Sequence, residues 1–194
     1  MKKLLEGYQR FRVHRWHAQK ALYRELDKGQ APPACVISCC DSRVDPAAIF
    51  DAEPGDLFIV RNVANLIPPY APSTGLHGTS TAIEFAVLGL KVETMLVLGH
   101  ARCGGVAAAM TGAPAGSVFL EGWVQLLDEA KARAGRDQGA LELESIKVSL
   151  NRLLTFPFVA EAVAAGRLKL AGARFSIFDG KLEVLDASGR FVAA

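Results

Sequence analysis

Three short apolar runs, each ending beside charged, thiol or imidazole groups, constrain this sequence more than any other feature. They are CVISC, which follows Pro32-Pro33, then DLFIVRN and TMLVLGH. Runs of this length that are rich in β-branched residues are typical of interior strands of a parallel sheet. Helical segments separate the runs, and this alternation predicts an α/β fold with a mostly parallel sheet and helices on both faces.

Helical spacing predicts the elements around these strands. A first helix is expected over about 4–26 and ends before Gly29. A second is expected over 75–89, with Ile83, Phe85, Ala86 and Leu90 facing inward. Others are expected over about 118–134, over 141–154 and after Pro157, and Asp179-Gly180 marks the turn of a closing hairpin. We expect one domain over 1–194, with residues 1–28 as an N-terminal helical arm.

Composition excludes several classes of function. The 194 residues are 51% hydrophobic and 22% charged, which is ordinary for a globular enzyme with a real core. The net charge of +2, without a dense basic run, gives no case for nucleic acid. No apolar run approaches the roughly 18 residues of a membrane span. The N-terminal MKKLLEGYQRFRVHRW lacks an apolar core of signal-peptide length, so we expect a cytoplasmic protein.

The residues that could bind a metal or take part in catalysis lie at one edge of the predicted sheet. Ligands of such folds bind just beyond the carboxyl ends of the strands. The groups that fall there are Cys39, Asp41, Arg43, Arg61, His100 and Cys103.

His100 and Cys103 lie three residues apart in HARC, where the third strand turns into a helix, and Cys39 can join them from the first strand. Two thiolates and one imidazole suit Zn²⁺ and leave a fourth position open, as in catalytic sites. Such a zinc ion lowers the pKa of bound water to about 7. Gly104 and Gly105 would let the backbone turn tightly around the site.

The remaining cysteines and histidines have simpler interpretations. Cys35 lies early in its strand and reads as a small core hydrophobe, and Cys40 alternates to the face opposite Cys39. His77 is expected to be a structural hydrogen-bonding group, and His14 and His17 to be surface or interface groups.

Asp41 and Arg43 lie two residues apart and point the same way in an extended segment. A guanidinium can hold a carboxylate with two hydrogen bonds. The pair is therefore either a structural ion pair or a carboxylate that orients zinc-bound water and is itself held by Arg43.

CCDSR followed by HARC resembles the C-x-D-S-R and H-x-x-C signature of the β-class carbonic anhydrases. The resemblance continues in GYQRF, EPGDLFIVRNVAN, TAIEFAVLGLKVETMLVLGHARCGGV and FSIFDGKLEVL, in family order, and is weaker over 111–140. It implies a sheet of four parallel strands plus an antiparallel edge strand. It also implies a homodimer or dimer-based tetramer, in which N-terminal helices embrace the partner and the active site lies at the interface.

The same resemblance implies one Zn²⁺ per subunit, held by Cys39, His100 and Cys103, and a lyase that reversibly hydrates CO₂ to bicarbonate and a proton by zinc-hydroxide attack. Asp41 would accept the hydrogen bond of the zinc hydroxide. Arg43 would hold Asp41 away from the metal.

A further implication concerns the subgroup. Gln30 stands nine residues before Cys39, where plant-type members carry a substrate-contacting glutamine. The other subgroup builds an inhibitory bicarbonate site with a tryptophan at the position of Val36, and here only Arg61 of that site is matched. The resemblance therefore implies the plant-type, non-allosteric subgroup.

The resemblance also implies a small substrate pocket. Phe58, Val63 and Phe85 would line an apolar space for CO₂. Backbone N–H groups near Gly104, at a helix N-terminus, would help to hold bicarbonate.

Three other functions stay open at this point. The same scaffold could hydrolyse CS₂ or COS, or the protein could bind zinc without turnover. A thiol redox protein that uses the adjacent Cys39 and Cys40 is the weakest, because it leaves His100 and Cys103 unexplained.

Overall fold

A mixed sheet organises the computed structural model, which describes residues 1–73 and 75–194. In the described chain its strands are β1 (Ala34–Cys39), β2 (Leu57–Asn62), β3 (Thr94–His100), β4 (Lys169–Phe175), β5 (Leu182–Leu185) and β6 (Phe191–Ala193). Their spatial order is β2-β1-β3-β4-β5-β6. The first four pair in parallel, and β5 pairs antiparallel to β4. This confirms the predicted parallel core with an antiparallel edge.

The helices flank this sheet. They are α1 (Lys2–Arg10), α2 (Lys20–Leu26), α3 (Pro46–Ile49), α4 (Gly78–Glu84), α5 (Gly104–Thr111), α6 (Phe119–Val124), α7 (Asp128–Ala134), α8 (Gln138–Leu153) and α9 (Pro157–Ala164). A wider π turn continues α1 over Phe11–Trp16 and continues α4 over Phe85–Gly89. None of the helices described here is both long and apolar enough to cross a membrane.

The two faces of the sheet are covered differently. One face buries alternate residues of β1 and β3 under α4, α8 and α9, with Ile37, Val97, Ile83, Ile146 and Phe156 at its centre. Alternate residues of the opposite face form a smaller cluster around Val36 and Leu98, covered by the segment that includes α3. Both faces are apolar, which is why the strand sequences read as continuous apolar runs.

The N-terminal segment is not the continuous helix that its spacing predicts. It breaks at Gln19, and the rings of Phe11 and Tyr23 then lie 6.1 Å apart, edge to face. Twelve residues of straight helix would separate them by about 18 Å. The break therefore folds α2 back against the π turn.

Two further details differ from the sequence prediction. Phe85 was expected to face inward with Ile83 and Ala86, but half of its surface is exposed, while the other two are buried. β6 was not predicted, because its three residues are shorter than a usual strand. It pairs antiparallel with β5 and covers the edge that β5 would otherwise leave open.

Candidate metal centre

Two strand ends and one loop bring two sulfur donors and one imidazole nitrogen donor together. Cys39 is the last residue of β1 and His100 the last of β3, while Cys103 follows three residues later and caps the N-terminus of α5. Their donor atoms all lie within 4.8 Å of one another. The two Sγ atoms are 3.9 Å apart, and all three residues are buried. A cluster of this size can hold one metal ion.

The ring of His100 has the tautomer that a metal ligand needs. Its Nδ1 lies 3.0 Å from the carbonyl oxygen of Ala101, so Nδ1 carries the hydrogen and donates it. In the neutral ring, Nε2 then keeps its lone pair. This atom is buried and has no hydrogen-bond partner. A buried polar atom without a partner destabilises the fold, unless a metal ion accepts its lone pair. The donor set thus fits a metal ion.

The two thiols share their protons unequally. The hydrogen bond from Cys103 lowers the pKa of Cys39, and the Ala64 N–H adds to this effect at 3.4 Å from the sulfur. The same contact with Cys39, together with burial, raises the pKa of Cys103. Cys39 is therefore the thiol that loses its proton more readily, and a bound metal ion would have to displace the proton of Cys103.

The backbone turns tightly around the donors. Ala64, two residues after the end of β2, has φ of 63°, and this left-handed conformation accompanies its N–H contact with Cys39. A Cβ on Gly105 would lie 2.7 Å from a methyl group of Val63 and 2.9 Å from the Cβ of Ala64, so only glycine fits. Gly104 faces open space. Of the two glycines predicted to permit the turn, Gly105 makes the close approach.

Asp41 and Arg43 form the predicted pair. Oδ1 of Asp41 accepts from the N–H and Nε of Arg43 at 2.9 Å each, and Oδ2 accepts from Nη2 at 2.7 Å. These bonds hold the pKa of Asp41 well below its usual range. Oδ2 also lies 3.9 Å from Nε2 of His100. An ionised carboxylate thus stands beside the donor cluster, with its orientation fixed by a guanidinium.

Arg61 holds the segment that carries this carboxylate. Its Nε donates to the carbonyl of Cys39 at 2.9 Å, and its Nη2 donates to those of Asp41 and Val44 at 2.8 and 2.7 Å. The side chain therefore fixes the path of the chain from the first sulfur ligand past Asp41.

Three of the predicted substrate residues lie elsewhere in this chain. Phe58 pairs with Cys35, whereas Cys39 pairs with Asn62 at the carboxyl end of β2. Four residues of strand put Phe58 about 13 Å from that end. The ring of Phe85 lies 5.8 Å from that of Phe58. The exposed Gln30 precedes the amino-terminal end of β1, whereas the donor cluster lies at the carboxyl end. Only Val63 and Gly104 lie near the donor cluster.

Cys35, Cys40 and His77 lie outside the donor cluster. Cys35 is buried, and burial raises its pKa to about 12. Cys40 is exposed, and all four cysteines are free. His77 lies 2.7 Å from the hydroxyl of Ser73.

Sequence reasoning missed one group at the centre. Glu142 of α8 is buried, and its Oε1 accepts the backbone N–H of Cys103 at 3.2 Å. Its helical spacing gives a signal, because Glu142 shares a face with the buried Ser145, Ser149 and Leu153. A carboxylate on a buried helical face needs a specific partner.

Comparisons with known proteins identify the family of this chain. The family model for carbonic anhydrase matches residues 34–182. A curated relative, β carbonic anhydrase 3 of Arabidopsis thaliana, is 34% identical over 197 aligned residues, which cover 95% of this chain and 76% of the relative. This chain belongs to the β-carbonic anhydrase family.

Solved β-carbonic anhydrases share its fold. The structure of CcaA superposes with a TM-score of 0.94 at 30% identity, covering 100% of this chain and 99% of that one. A tetrameric β-carbonic anhydrase of Sordaria macrospora gives 0.82 at 28% identity, covering 99% and 98%. The Coccomyxa enzyme in complex with acetazolamide gives 0.81 at 25% identity, covering 94% and 85%.

The contribution of Arg61 to the folding stability of this β-carbonic anhydrase can be measured. Arg61→Lys should lower the free energy of unfolding of the metal-free chain by about 1–2 kcal/mol, because an ammonium group cannot replace the three-way hydrogen bonding of the guanidinium. Urea unfolding measures this. Arg190→Lys is the control, since that side chain is 79% exposed, and it should change stability by less than about 0.5 kcal/mol. Equal stability of the two variants would contradict the structural role of Arg61.

Proposed function

We propose that this chain catalyses the reversible hydration of CO₂ to bicarbonate and a proton, with Zn²⁺ bound by Cys39, His100 and Cys103. The observation that carries the proposal is the buried, unpartnered Nε2 of His100 beside two sulfur atoms, all within 4.8 Å. Family membership supports the reaction.

The donor set favours zinc. Two thiolates and one imidazole are soft to intermediate ligands, and three protein ligands leave one tetrahedral position for catalysis. When bound, Zn²⁺ lowers the pKa of a water molecule to about 7 and so supplies a hydroxide nucleophile at neutral pH.

Asp41 would orient that nucleophile. Its pKa is low, so at neutral pH the carboxylate can only accept hydrogen bonds. By accepting the hydrogen of the attacking hydroxide, it would leave a lone pair directed at CO₂. Arg43 bonds to both carboxylate oxygens and would keep Asp41 from becoming a metal ligand itself. Gly104, at the N-terminus of α5, would offer backbone N–H groups to the bicarbonate anion.

A second copy of the chain would complete the substrate pocket. Phe58 and Phe85 pack together toward the amino ends of the strands, and the exposed Gln30 precedes β1, so all three lie away from the donor cluster of their own chain. This placement supports a role in the site of another subunit. The surface there is apolar, with Phe85 50% and Leu88 56% exposed. The arm adds exposed apolar groups, Leu4, Leu5, Tyr8 and Val13. We therefore propose a homodimer, or a tetramer built from dimers.

The site is proposed to be of the plant type, without bicarbonate inhibition. Val36 occupies the tryptophan position and is buried in the core. Arg61 commits Nε and Nη2 to three carbonyl groups of its own chain and so is not free to bind an anion with these donors.

The four free cysteines also suit a reducing compartment and support a cytoplasmic location.

The zinc-loaded protein should hydrate CO₂ in stopped-flow assays with a turnover rate that rises between about pH 6.5 and 9. The direction follows because the nucleophile must lose a proton whose pKa is about 7. Asp41→Asn should lower turnover by about 10–100-fold, as loss of an outer ligand contact typically does.

Two thiol variants provide the controls for this assay. Cys103→Ala should abolish activity, whereas Cys40→Ser, which removes an exposed thiol outside the cluster, should retain it. Activity that falls toward alkaline pH would contradict the mechanism. Zinc binding without CO₂ hydration would favour a CS₂ or COS hydrolase or a non-catalytic zinc protein, and assays with CS₂ and COS would separate these.

The shared pocket can be tested by mixing two impaired variants. Cys103→Ala lacks a metal ligand, and Gln30→Ala lacks a pocket residue contributed to the partner. A mixed dimer has one site with all its metal ligands and an intact Gln30 from the other subunit. Random mixing should therefore restore about a quarter of wild-type activity after subunit exchange. Activity that stays at the sum of the separate variants would show that each chain builds its own pocket.

A further inference from the structure

Cys103 differs from the other two donors in how its main chain is held. Cys39 and His100 end strands whose backbones pair with neighbours, opposite Asn62 and Phe175 respectively. Cys103 lies beyond the sheet, after Arg102, whose φ of 55° marks a sharp turn. The sheet therefore cannot fix this donor, and some other contact has to do so.

Side chains of α8 supply that contact on both sides of the residue. The N–H of Cys103 donates to Oε1 of Glu142 at 3.2 Å. The carbonyl of Cys103 accepts from Nε2 of Gln138 at 3.4 Å and from the N–H of Ala107 at 3.0 Å. With both peptide groups held, rotation about the Cα–Cβ bond is the main freedom left to Sγ.

Glu142 is in turn held by β4. Its Oε2 accepts from Nε and Nη2 of Arg174 at 3.1 and 2.8 Å, and Gln138 donates to Oε1 at 3.2 Å. Arg174 also bonds to Glu183 of β5 at 2.9 Å. A chain of hydrogen bonds thus runs from the third donor to the antiparallel edge of the sheet.

The charge of Glu142 has a specific use in this arrangement. The side chain is 3% exposed, and a buried carboxylate is costly unless every oxygen is paired. A carboxylate accepts on both oxygens, toward Cys103 and toward Arg174. A glutamine could accept on one side only, because its amide would turn N–H groups toward the other donor.

We propose that Glu142 is a positioning residue for the metal centre, which fixes Cys103 through its backbone N–H and is itself oriented by Arg174. The inference rests on the proposed function, because it concerns one of the three proposed zinc ligands. Loss of Glu142 should loosen the third donor without touching the other two.

The test compares Glu142→Gln with Glu183→Gln. Both variants weaken the pairing of Arg174, but only the first removes the carboxylate that contacts Cys103. Competition with a chromophoric chelator measures Zn²⁺ affinity, and the thiolate-to-metal absorption of the Co²⁺-substituted protein reports on donor geometry. Glu142→Gln should bind Zn²⁺ about 10–100-fold more weakly, with an altered Co²⁺ spectrum. Glu183→Gln should keep the wild-type affinity and spectrum.

The outcomes separate this inference from the proposed function. A wild-type chain that binds no Zn²⁺ would overturn both. If the wild-type chain binds Zn²⁺ and the two variants have equal Zn²⁺ affinities and equal Co²⁺ spectra, the positioning role alone is overturned. A loss of folding stability in either variant does not change this conclusion. If Glu142→Gln fails to fold, Gln138→Ala replaces it, since it removes the contact with the carbonyl of Cys103 and one bond to Glu142. Weaker Zn²⁺ binding by that variant would support the inference, and unchanged binding would overturn it.

Discussion

The parallel pairing of β1 with β3 is the constraint on which the rest of the site depends. The register sets Ser38 beside Leu98, so Cys39 and His100 emerge next to each other at the same edge. Both positions are fixed by ladder hydrogen bonds and by apolar packing on two faces, not by the donors themselves. The fold thus presents two donors before any metal binds, and only the third has to be positioned separately.

Charged groups around the donors follow one physical rule, that a carboxylate near a buried site is held by a guanidinium. Arg43 holds Asp41 at the open side, and Arg174 holds Glu142 at the buried side. The two pairs have different surroundings. Asp41 remains partly exposed beside His100, whereas Glu142 is enclosed and, among the three donor residues, contacts only Cys103, at its main chain.

The sequence predicts the features that arise locally. Strands rich in β-branched residues, the short HARC spacing and the Asp41 and Arg43 pair are determined within a few residues, and the structure contains each of them. Features that depend on distant contacts were not predicted. The contact of Glu142 joins residues 39 positions apart, and the half-exposed Phe85 packs on Phe58, which belongs to an edge strand. A helical pattern alone cannot distinguish a face that packs on its own core from one left for a partner.

X-ray absorption at the zinc edge would test the central claim most directly, because it counts the atoms around the metal. The account predicts two sulfur atoms at about 2.3 Å and two lighter atoms at about 2.0–2.1 Å, from Cys39, Cys103, His100 and one exchangeable ligand. Three or four sulfur atoms would mean that Cys40 or Cys35 joins the site and closes it. A shell of oxygen and nitrogen alone would mean that the buried cluster is not where zinc binds.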